Sequence, residues 1–151
     1  MRFSKKVVLG IGLSSEMTEL IKPLRDMDFL SHSEIHFVHV FNSTSFTTVF
    51  GDFPIIYPVA VAVDPKAIEE SVLTFLTKFS QEVIPDNFKG KVVTKCLFDN
   101  SPKDKFCDYV NENRFDLVII PTRQKRGLFE SSFAQFVNKH THANMLILKN
   151  L

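Results

Sequence analysis

A chain of 151 residues is long enough for one domain with a substantial buried core. Its apolar share of 44% and its charged share of 23% are ordinary for a soluble globular protein. The net charge of +1 offers no broad basic surface, so we expect no nucleic-acid partner.

The amino-terminal segment MRFSKKVVLGIGLSSE predicts a buried strand rather than a secretion signal. Only Val7 to Leu13 is apolar, Gly10 and Gly12 interrupt it, and no small-residue cleavage site follows. No other apolar run approaches the roughly 20 residues of a membrane helix. We therefore expect no membrane partner.

A helix and a second strand are predicted after this opening strand. Ser14 or Ser15 can cap the helix, and Pro23 should kink or shorten it. Its apolar residues recur at helical spacing: Met17, Leu20, Ile21 and Leu24. The segment Ile35 to Phe41 is β-branched and aromatic, which is typical of a strand.

A connection of about 20 residues, Ser43 to Val63, follows the second strand, and such length is often functional in a compact domain. Its large apolar residues are too many for free solvent: Phe46, Phe50, Phe53, Ile55, Ile56 and Tyr57. Either the segment folds over the sheet edge and completes the core, or it forms a flap that binds a protein partner or covers a ligand.

Two helices of the second half are predicted to start at a capping residue followed by proline. Asp64-Pro65 begins the longer one, which ends before Pro85. Its apolar stripe is Ile68, Val72, Phe75, Leu76, Phe79 and Val83. Ser101-Pro102 begins the shorter one, with Phe106, Tyr109 and Val110 as the buried face.

The remaining elements are three strands and a last helix. The strands are Lys91 to Phe98, Phe115 to Ile120 and Met145 to Leu148. Apolar spacing marks the last helix: Phe133, Phe136, Val137 and His140. Cys96 and Cys107 form neither a CxxC pair nor a disulfide framework, so we expect free buried thiols and a cytoplasmic location.

Five strands with four intervening helices predict an α/β fold over residues 1–151 as a single domain. Strands one and four are apolar on successive residues, as expected when helices cover both faces of the sheet. Right-handed crossovers then give one doubly wound five-stranded parallel sheet. Ligands of such sheets bind at the carboxyl ends of the strands. The candidate loops are Gly12 to Ser15, Asn42 to Val63, Asp99 to Ser101 and Pro121 to Glu130.

Over nearly its whole length the chain resembles the universal stress protein family. The resemblance is carried by the opening VVLGIGLSSE, the long loop before the second helix, NRFDLVIIPT, and SSFAQFVNKHTHANMLIL. It implies the five-stranded sheet described above, which the family shares with adenine nucleotide alpha hydrolase-like proteins. It also implies a homodimer through the last strand, with Met145, Leu146, Ile147 and Leu148 at the interface.

Family members that bind ATP have a pattern G-x2-G-x9-G-[ST] after strand four. In this chain Pro121 and Gln124 hold the first two glycine positions, and Ser131 holds the third after a shortened spacer. Thr122 and Ser132 match hydroxyl positions of the pattern. The chain therefore resembles the subclass that does not bind ATP.

Two further features support this interpretation. Gly12 stands where ATP binders have an aspartate at the end of strand one, so the usual partner for ribose hydroxyls is lost. Pro121 fixes φ near −65° and donates no N–H, whereas a phosphate loop needs glycines for close backbone approach. We expect no bound cofactor, and ATP is disfavoured.

A looser anion site stays open as an alternative. Arg123, Lys125 and Arg126 precede the helix that Ser131 and Ser132 enter, and a helix N-terminus favours a negative group. The simpler interpretation is a solvated basic loop with an ordinary helix cap. The degenerate nucleotide pocket would consist of Gly12, Thr122, Ser131 and Ser132.

The histidines indicate neither a metal site nor catalysis. His36 and His39 are three apart on a strand and point to opposite faces. His140 and His142 do not share a helical face, so we expect no metal site. We predict no catalytic residues and therefore no enzyme.

The sequence therefore predicts a cytoplasmic, dimeric stress-response binding or signalling module without tight ATP binding. The alternative is a switch that binds a nucleotide (ATP or AMP) or another phosphorylated ligand and hydrolyses it slowly, through the degenerate loop Pro121–Ser132. In a third interpretation, Ser43 to Val63 docks a specific protein.

Overall fold

The computed structural model describes residues 5–11, 19–43, 49–50, 53–54, 65–122 and 132–149. The strands among them are Lys6–Gly10 (β1), Glu34–Asn42 (β2), Val49–Phe50 (β3), Phe53–Pro54 (β4), Lys91–Asp99 (β5), Leu117–Thr122 (β6) and Asn144–Lys149 (β7). The long helices are Pro65–Val83 (α1), Pro102–Glu112 (α2) and Ser132–His140 (α3).

Five of the strands form one parallel sheet in the order β5-β2-β1-β6-β7. The chain moves outward from β1 to one edge and then crosses to the other side, so the direction of winding changes between β1 and β6. This confirms the predicted doubly wound five-stranded sheet. It also leaves β5 and β7 at the two edges, and β7 contains the four residues predicted to lie there, Met145 to Leu148.

Apolar side chains cover both faces of the sheet, as the unbroken apolar strands predict. On one face, β1 and β2 pack on α1 and on the helical residues before β2. Examples from this core are Leu9, Ile21, Phe37, Val72 and Leu76. On the other face the sheet packs on α2 and α3. Examples from this second core are Val8, Val38, Phe106, Val118 and Val137.

Pro23 shortens the first helix, as predicted. Residues 19–21 are α-helical, and a 3₁₀ helix, Lys22–Asp26, continues from them with Pro23 in its first turn. A second 3₁₀ turn, Asp28–Leu30, leads into β2. The predicted apolar residues Leu20, Ile21 and Leu24 are buried, while Met17 and the capping serines lie outside the described residues.

The prediction for the start of α2 is confirmed in position but wrong in its capping contact. The helix begins at Pro102, and yet the Ser101 hydroxyl caps no backbone N–H. Instead Ser101 Oγ donates to Asp104 Oδ2 at 2.5 Å, and the Asp99 side chain accepts a bond from the backbone N–H of Ser101. A nearby carboxylate has replaced the backbone as the partner of the serine.

The fourth strand of the sheet lies two residues later than predicted, at Leu117–Thr122 instead of 115–120. It starts later because Arg114 adopts a left-handed φ of 52°, and Phe115 N–H still donates to the Val110 carbonyl of α2. It ends later because Pro121 and Thr122 pair in register with β7. These two residues therefore belong to a strand and not to the loop where sequence reasoning placed them.

The long connection after β2 contains a short hairpin in the part that the structure describes. Val49 and Phe50 of β3 pair antiparallel with Phe53 and Pro54 of β4. Ser43 N–H donates to the Asp99 carbonyl, which ties the start of the connection to the end of β5. The other residues of the predicted flap lie outside the described part of the chain.

Candidate functional site

A crevice between two neighbouring strands forms the candidate site. β1 and β6 pair only as far as Leu9 and Ile119. β6 continues with β7 through Thr122, and β1 continues with β2 through Gly10. The two strands therefore separate at their carboxyl ends, at the point where the strand order reverses. Sheets of this kind bind ligands at that point.

Pro121 lies on the β6 wall of this crevice. It is buried, and it pairs in register with Leu148 of β7. A proline in a strand is tolerated where one side lacks a neighbour, because its missing N–H then breaks no ladder bond. The same missing N–H deprives the crevice of a backbone donor for an anion.

Thr122, the last residue of β6, has the most unusual polar group of the site. Its side chain is 3% exposed, and Oγ1 has no hydrogen-bond partner among the residues that the structure describes. A buried hydroxyl without a partner costs free energy, roughly 1–3 kcal/mol. Such groups call for a specific explanation, and a contact with a ligand is one.

His39 lies toward the carboxyl end of β2 and contacts Ile11, the residue that follows β1. Its Nδ1 is 2.8 Å from the carbonyl oxygen of Ile11, to which it donates. Ile11 N–H in turn donates to the Val38 carbonyl. Burial lowers the pKa of His39 to about 4, while the bond to Ile11 opposes this shift. The neutral ring thus fixes the backbone one residue before Gly12.

Sequence reasoning placed His39 correctly on the face opposite His36 but missed its contact with Ile11. The two partners are 28 residues apart, and no local pattern connects them. The available signal is weak: a histidine within an apolar strand needs a polar partner, and the carbonyl end of a neighbouring strand can supply one.

The other predicted pocket residues are described only in part. Ser132 begins α3, as predicted for a helix entry, and nothing further is described of its side chain. Gly12, Ser131 and the basic residues Arg123, Lys125 and Arg126 lie outside the described residues. The structure therefore brings together the ends of β1, β2 and β6, with Thr122 as the predicted site residue that it describes fully.

The two thiols of the chain are far from the reactive form. Both Cys96 and Cys107 are free, as predicted, although Cys96 is only half-buried. Burial is the main cause that raises the pKa of Cys96 to about 12 and that of Cys107 to about 11. At neutral pH both remain protonated, and a protonated thiol is a poor nucleophile.

Metal-ligand clusters and membrane-spanning helices are two further features that the described part of the chain lacks. It contains no group of three or more histidine, cysteine, aspartate or glutamate side chains placed to hold a metal ion. Of the helices that the structure describes, none combines the length and the apolar character that crossing a membrane requires.

Comparison with known proteins agrees with this fold. A model of the universal stress protein family matches residues 4–149. No curated protein matches the chain significantly in sequence. The hypothetical protein PH0823 shares the fold with a TM-score of 0.69 and 20% identity, over 97% of this chain and 96% of that chain.

Two further solved structures of the same fold are complexes with nucleotides. A universal stress protein in complex with cAMP has a TM-score of 0.62 and 12% identity, over 98% of each chain. The universal stress protein from Archaeoglobus fulgidus in complex with dAMP has a TM-score of 0.54 and 13% identity, over 99% of this chain and 100% of that chain. At these identities the likeness shows the fold.

Proposed function

The chain belongs to the universal stress protein family, and we propose that it is a homodimeric binding or signalling module of the stress response that does not bind ATP tightly. In this proposal it is cytoplasmic and has no enzymatic activity. The specific ligand or protein partner, rather than a reaction, defines its role. A protein partner at Ser43–Val63 fits the same proposal.

The observation that carries the proposal is the position of Pro121. It occupies the first glycine position of the ATP-binding pattern, and it is buried in β6 beside the crevice. A phosphate chain held there would need backbone N–H groups at close range, which proline does not supply. Because Pro121 offers no backbone N–H near the end of β6, this strand end favours weak or no binding of a triphosphate.

Thermal unfolding with and without millimolar Mg-ATP tests this proposal. We expect the midpoint to stay unchanged. A ligand that binds only the native state and is present at 100 times its dissociation constant adds about 2.7 kcal/mol. For a domain of this size, that gain raises the midpoint by roughly 5–10 °C.

Two variants show whether a shift in the midpoint comes from binding at the loop before α3. Ser132→Ala removes the hydroxyl at the start of α3, and Ser101→Ala makes the matched change before α2. A shift of 5–10 °C that Ser132→Ala reduces and Ser101→Ala preserves would overturn the proposal. The loop would then be a working nucleotide site.

The two edges of the sheet differ in a way that supports dimerisation through β7. The edge strand β5 carries Lys91 and Lys95, both exposed, and charged residues on an edge discourage pairing with another chain. The middle of β7 carries four consecutive apolar residues, Met145 to Leu148, and Leu148 is 9% exposed. Pairing of two β7 strands would give an isologous interface with a two-fold axis beside them.

A lysine placed on either edge tests the dimer. We expect Ile147→Lys to convert a dimer into a monomer, because the charge would lie unpaired in the interface. Val92→Lys places the same charge on the other edge strand, at exposed Val92 of β5, and should leave the dimer intact. Light scattering after size exclusion gives the mass. A monomeric parent protein, or a dimer that survives Ile147→Lys, would contradict this interface.

The Thr122 hydroxyl has no hydrogen-bond partner among the described residues, and this favours a second candidate function. That function is a switch that binds a smaller nucleotide or another phosphorylated ligand and hydrolyses it slowly. The solved complexes with cAMP and dAMP show that relatives of this fold bind such nucleotides. The same thermal experiment with AMP and cAMP distinguishes the two functions. A shift that Thr122→Val abolishes would favour the switch, because valine keeps the shape of threonine and removes the hydroxyl.

A further inference from the structure

A buried histidine joins the central sheet to α2 at the end opposite the crevice. His36 of β2 is 6% exposed, and both ring nitrogens have partners. Nε2 is 2.7 Å from Glu34 Oε1, and Nδ1 is 2.6 Å from the hydroxyl oxygen of Tyr109 on α2. The ring also meets Phe115 edge-on, with 4.7 Å between the centroids.

These contacts determine where the protons lie in the neutral state. The bond to His36 lowers the pKa of Glu34, so the carboxylate is ionised and accepts from Nε2–H. Nδ1 of the neutral ring is then an acceptor, and Tyr109 must donate its O–H to it. Burial raises the pKa of Tyr109 to about 12, so its hydroxyl keeps this proton.

Protonation of His36 disturbs this arrangement. Nδ1 becomes a donor, so the Tyr109 hydroxyl must turn and accept from it, and the hydrogen of that hydroxyl loses Nδ1 as its acceptor. Burial is the largest cause that lowers the pKa of His36, and the charges of Lys6 on β1 and Lys91 on β5 lower it further. Glu34 opposes them, since its hydrogen bond and its charge raise the pKa of His36.

Lys6 of β1 also ties the residues that follow α2 to the sheet. Lys6 Nζ donates to the Asn113 carbonyl at 2.8 Å and lies 5.0 Å from the centre of the Phe115 ring. The backbone N–H of Lys6 donates to the Asp116 carboxylate. The charged and titratable groups that act on His36 are therefore Glu34, Lys6, Lys91 and Tyr109, and Asp116 contacts Lys6.

We propose that Glu34, His36 and Tyr109 form a proton-responsive latch, which fastens the carboxyl-terminal half of α2 to the sheet and weakens when His36 is protonated. The latch lies on the α2 and α3 side, away from the crevice, so it is independent of any nucleotide. Opening it would free the face of α2 that covers the second core. The device therefore couples acidification to the local stability of one helix.

The sign of the effect follows from the burial of the ring and from its bond to Tyr109, because a charged ring loses hydration there and reverses that bond. Burial accordingly lowers the pKa of His36. When the latch is open, the ring titrates near the ordinary value of about 6.5. The contribution of the latch is complete above that pH and is lost as the pH falls toward the lower value of the closed state. One proton changes the opening equilibrium by at most about tenfold per pH unit.

Hydrogen exchange of the backbone amides at pH 7.0 and 5.5, corrected for intrinsic rates, tests the latch. We expect the α2 amides of Phe106 and Val110 to lose protection relative to those of Val72 and Leu76 in α1. Carbon-detected titration of the imidazole rings should place His36 below the ordinary value. His36→Gln should remove the pH dependence of α2, whereas His32→Gln, a matched change at an exposed histidine, should preserve it.

A second variant keeps the proposal open to refutation if His36→Gln does not fold. Glu34→Gln removes the charge that favours protonation of His36, so the loss of α2 protection should move to lower pH. The latch would be refuted if α1 and α2 lost protection in parallel. It would also be refuted if the pH dependence of α2 were unchanged in Glu34→Gln or in His36→Gln.

Discussion

Replacement of Gly90 by alanine is expected to lower the free energy of unfolding by about 3 kcal/mol, because the methyl group would collide with backbone. A Cβ atom at Gly90 would lie 1.9 Å from the Ser33 carbonyl oxygen and 2.6 Å from Cζ of the Phe88 ring. The ring can move aside. The carbonyl cannot move freely, since it accepts the backbone N–H of Lys91 at 3.1 Å.

Relief of this collision requires β5 to shift where it first joins β2. The bond from Lys91 to Ser33 is the first contact of β5, and the bond from Lys89 to the Ser31 carbonyl precedes it. We therefore expect Gly90→Ala to weaken the start of the β2–β5 register. In a thermal scan the midpoint should fall by roughly 6–12 °C.

Lys89→Ala is the matched control for this experiment. It lies in the same turn, its side chain is exposed, and its backbone N–H is retained. Exposed substitutions of this kind change stability by no more than about 0.5 kcal/mol. If Gly90→Ala unfolded in urea with the same free energy as Lys89→Ala, then the turn would be able to rearrange and the close approach would have no role.

The sheet was predictable from sequence because burial on both faces leaves a local signal. β1 and β6 are apolar on successive residues, which is typical of a parallel strand that is covered on both faces. The long helix was equally predictable. Pro65 follows Asp64, a residue type that is common at helix caps. The apolar stripe from Ile68 to Val83 has the helical period.

The end of β6 was not predictable by the same rules. Pro121 disfavours a strand locally, and so the sequence indicated a loop. The strand continues because β7 pairs with it through Thr122, whereas the described pairing with β1 ends at Ile119. Whether a proline is tolerated thus depends on a neighbour that lies elsewhere in the chain.

The side-chain contacts of the crevice and of the latch share this dependence on distant residues. The partners His36 and Tyr109 are 73 residues apart, and His39 and Ile11 are 28 apart. A periodicity indicates which face a histidine occupies, but not which hydroxyl or carbonyl it meets there. For the same reason the unpartnered hydroxyl of Thr122 is visible only in the folded structure.

Acidification from pH 7 to pH 5 should cost the protein about 2 kcal/mol through His39 alone. Burial lowers the pKa of His39 to about 4 in the folded state, against about 6.5 in the unfolded chain. As the pH falls, the unfolded chain therefore binds the proton first. The contribution of His39 is complete above about 6.5 and is lost progressively down to about 4, where the total loss reaches about 3 kcal/mol.

Urea unfolding of His39→Asn at the two pH values isolates this contribution. An asparagine amide places a donor near the position of Nδ1, so the bond to the Ile11 carbonyl can be kept while the titration is removed. We expect the variant to lose about 2 kcal/mol less than the parent between pH 7 and pH 5. His32→Asn, the same change at an exposed histidine, should leave the parent's loss unaltered.

A parent protein equally stable at both pH values would contradict this prediction, and so would an equal loss in His39→Asn.

The location of His39 gives the result a functional meaning. Its ring holds Ile11 at the point where β1 leaves the sheet and the candidate crevice begins. Because Nδ1 already donates to the Ile11 carbonyl, acid adds its proton at Nε2 and places a charge on this buried ring. The charge disfavours the buried position of the ring, so acid should first affect the backbone before Gly12, which the ring holds. The latch at His36 would respond at the opposite end of the sheet. Acidification would then act on the two ends of the sheet through different histidines.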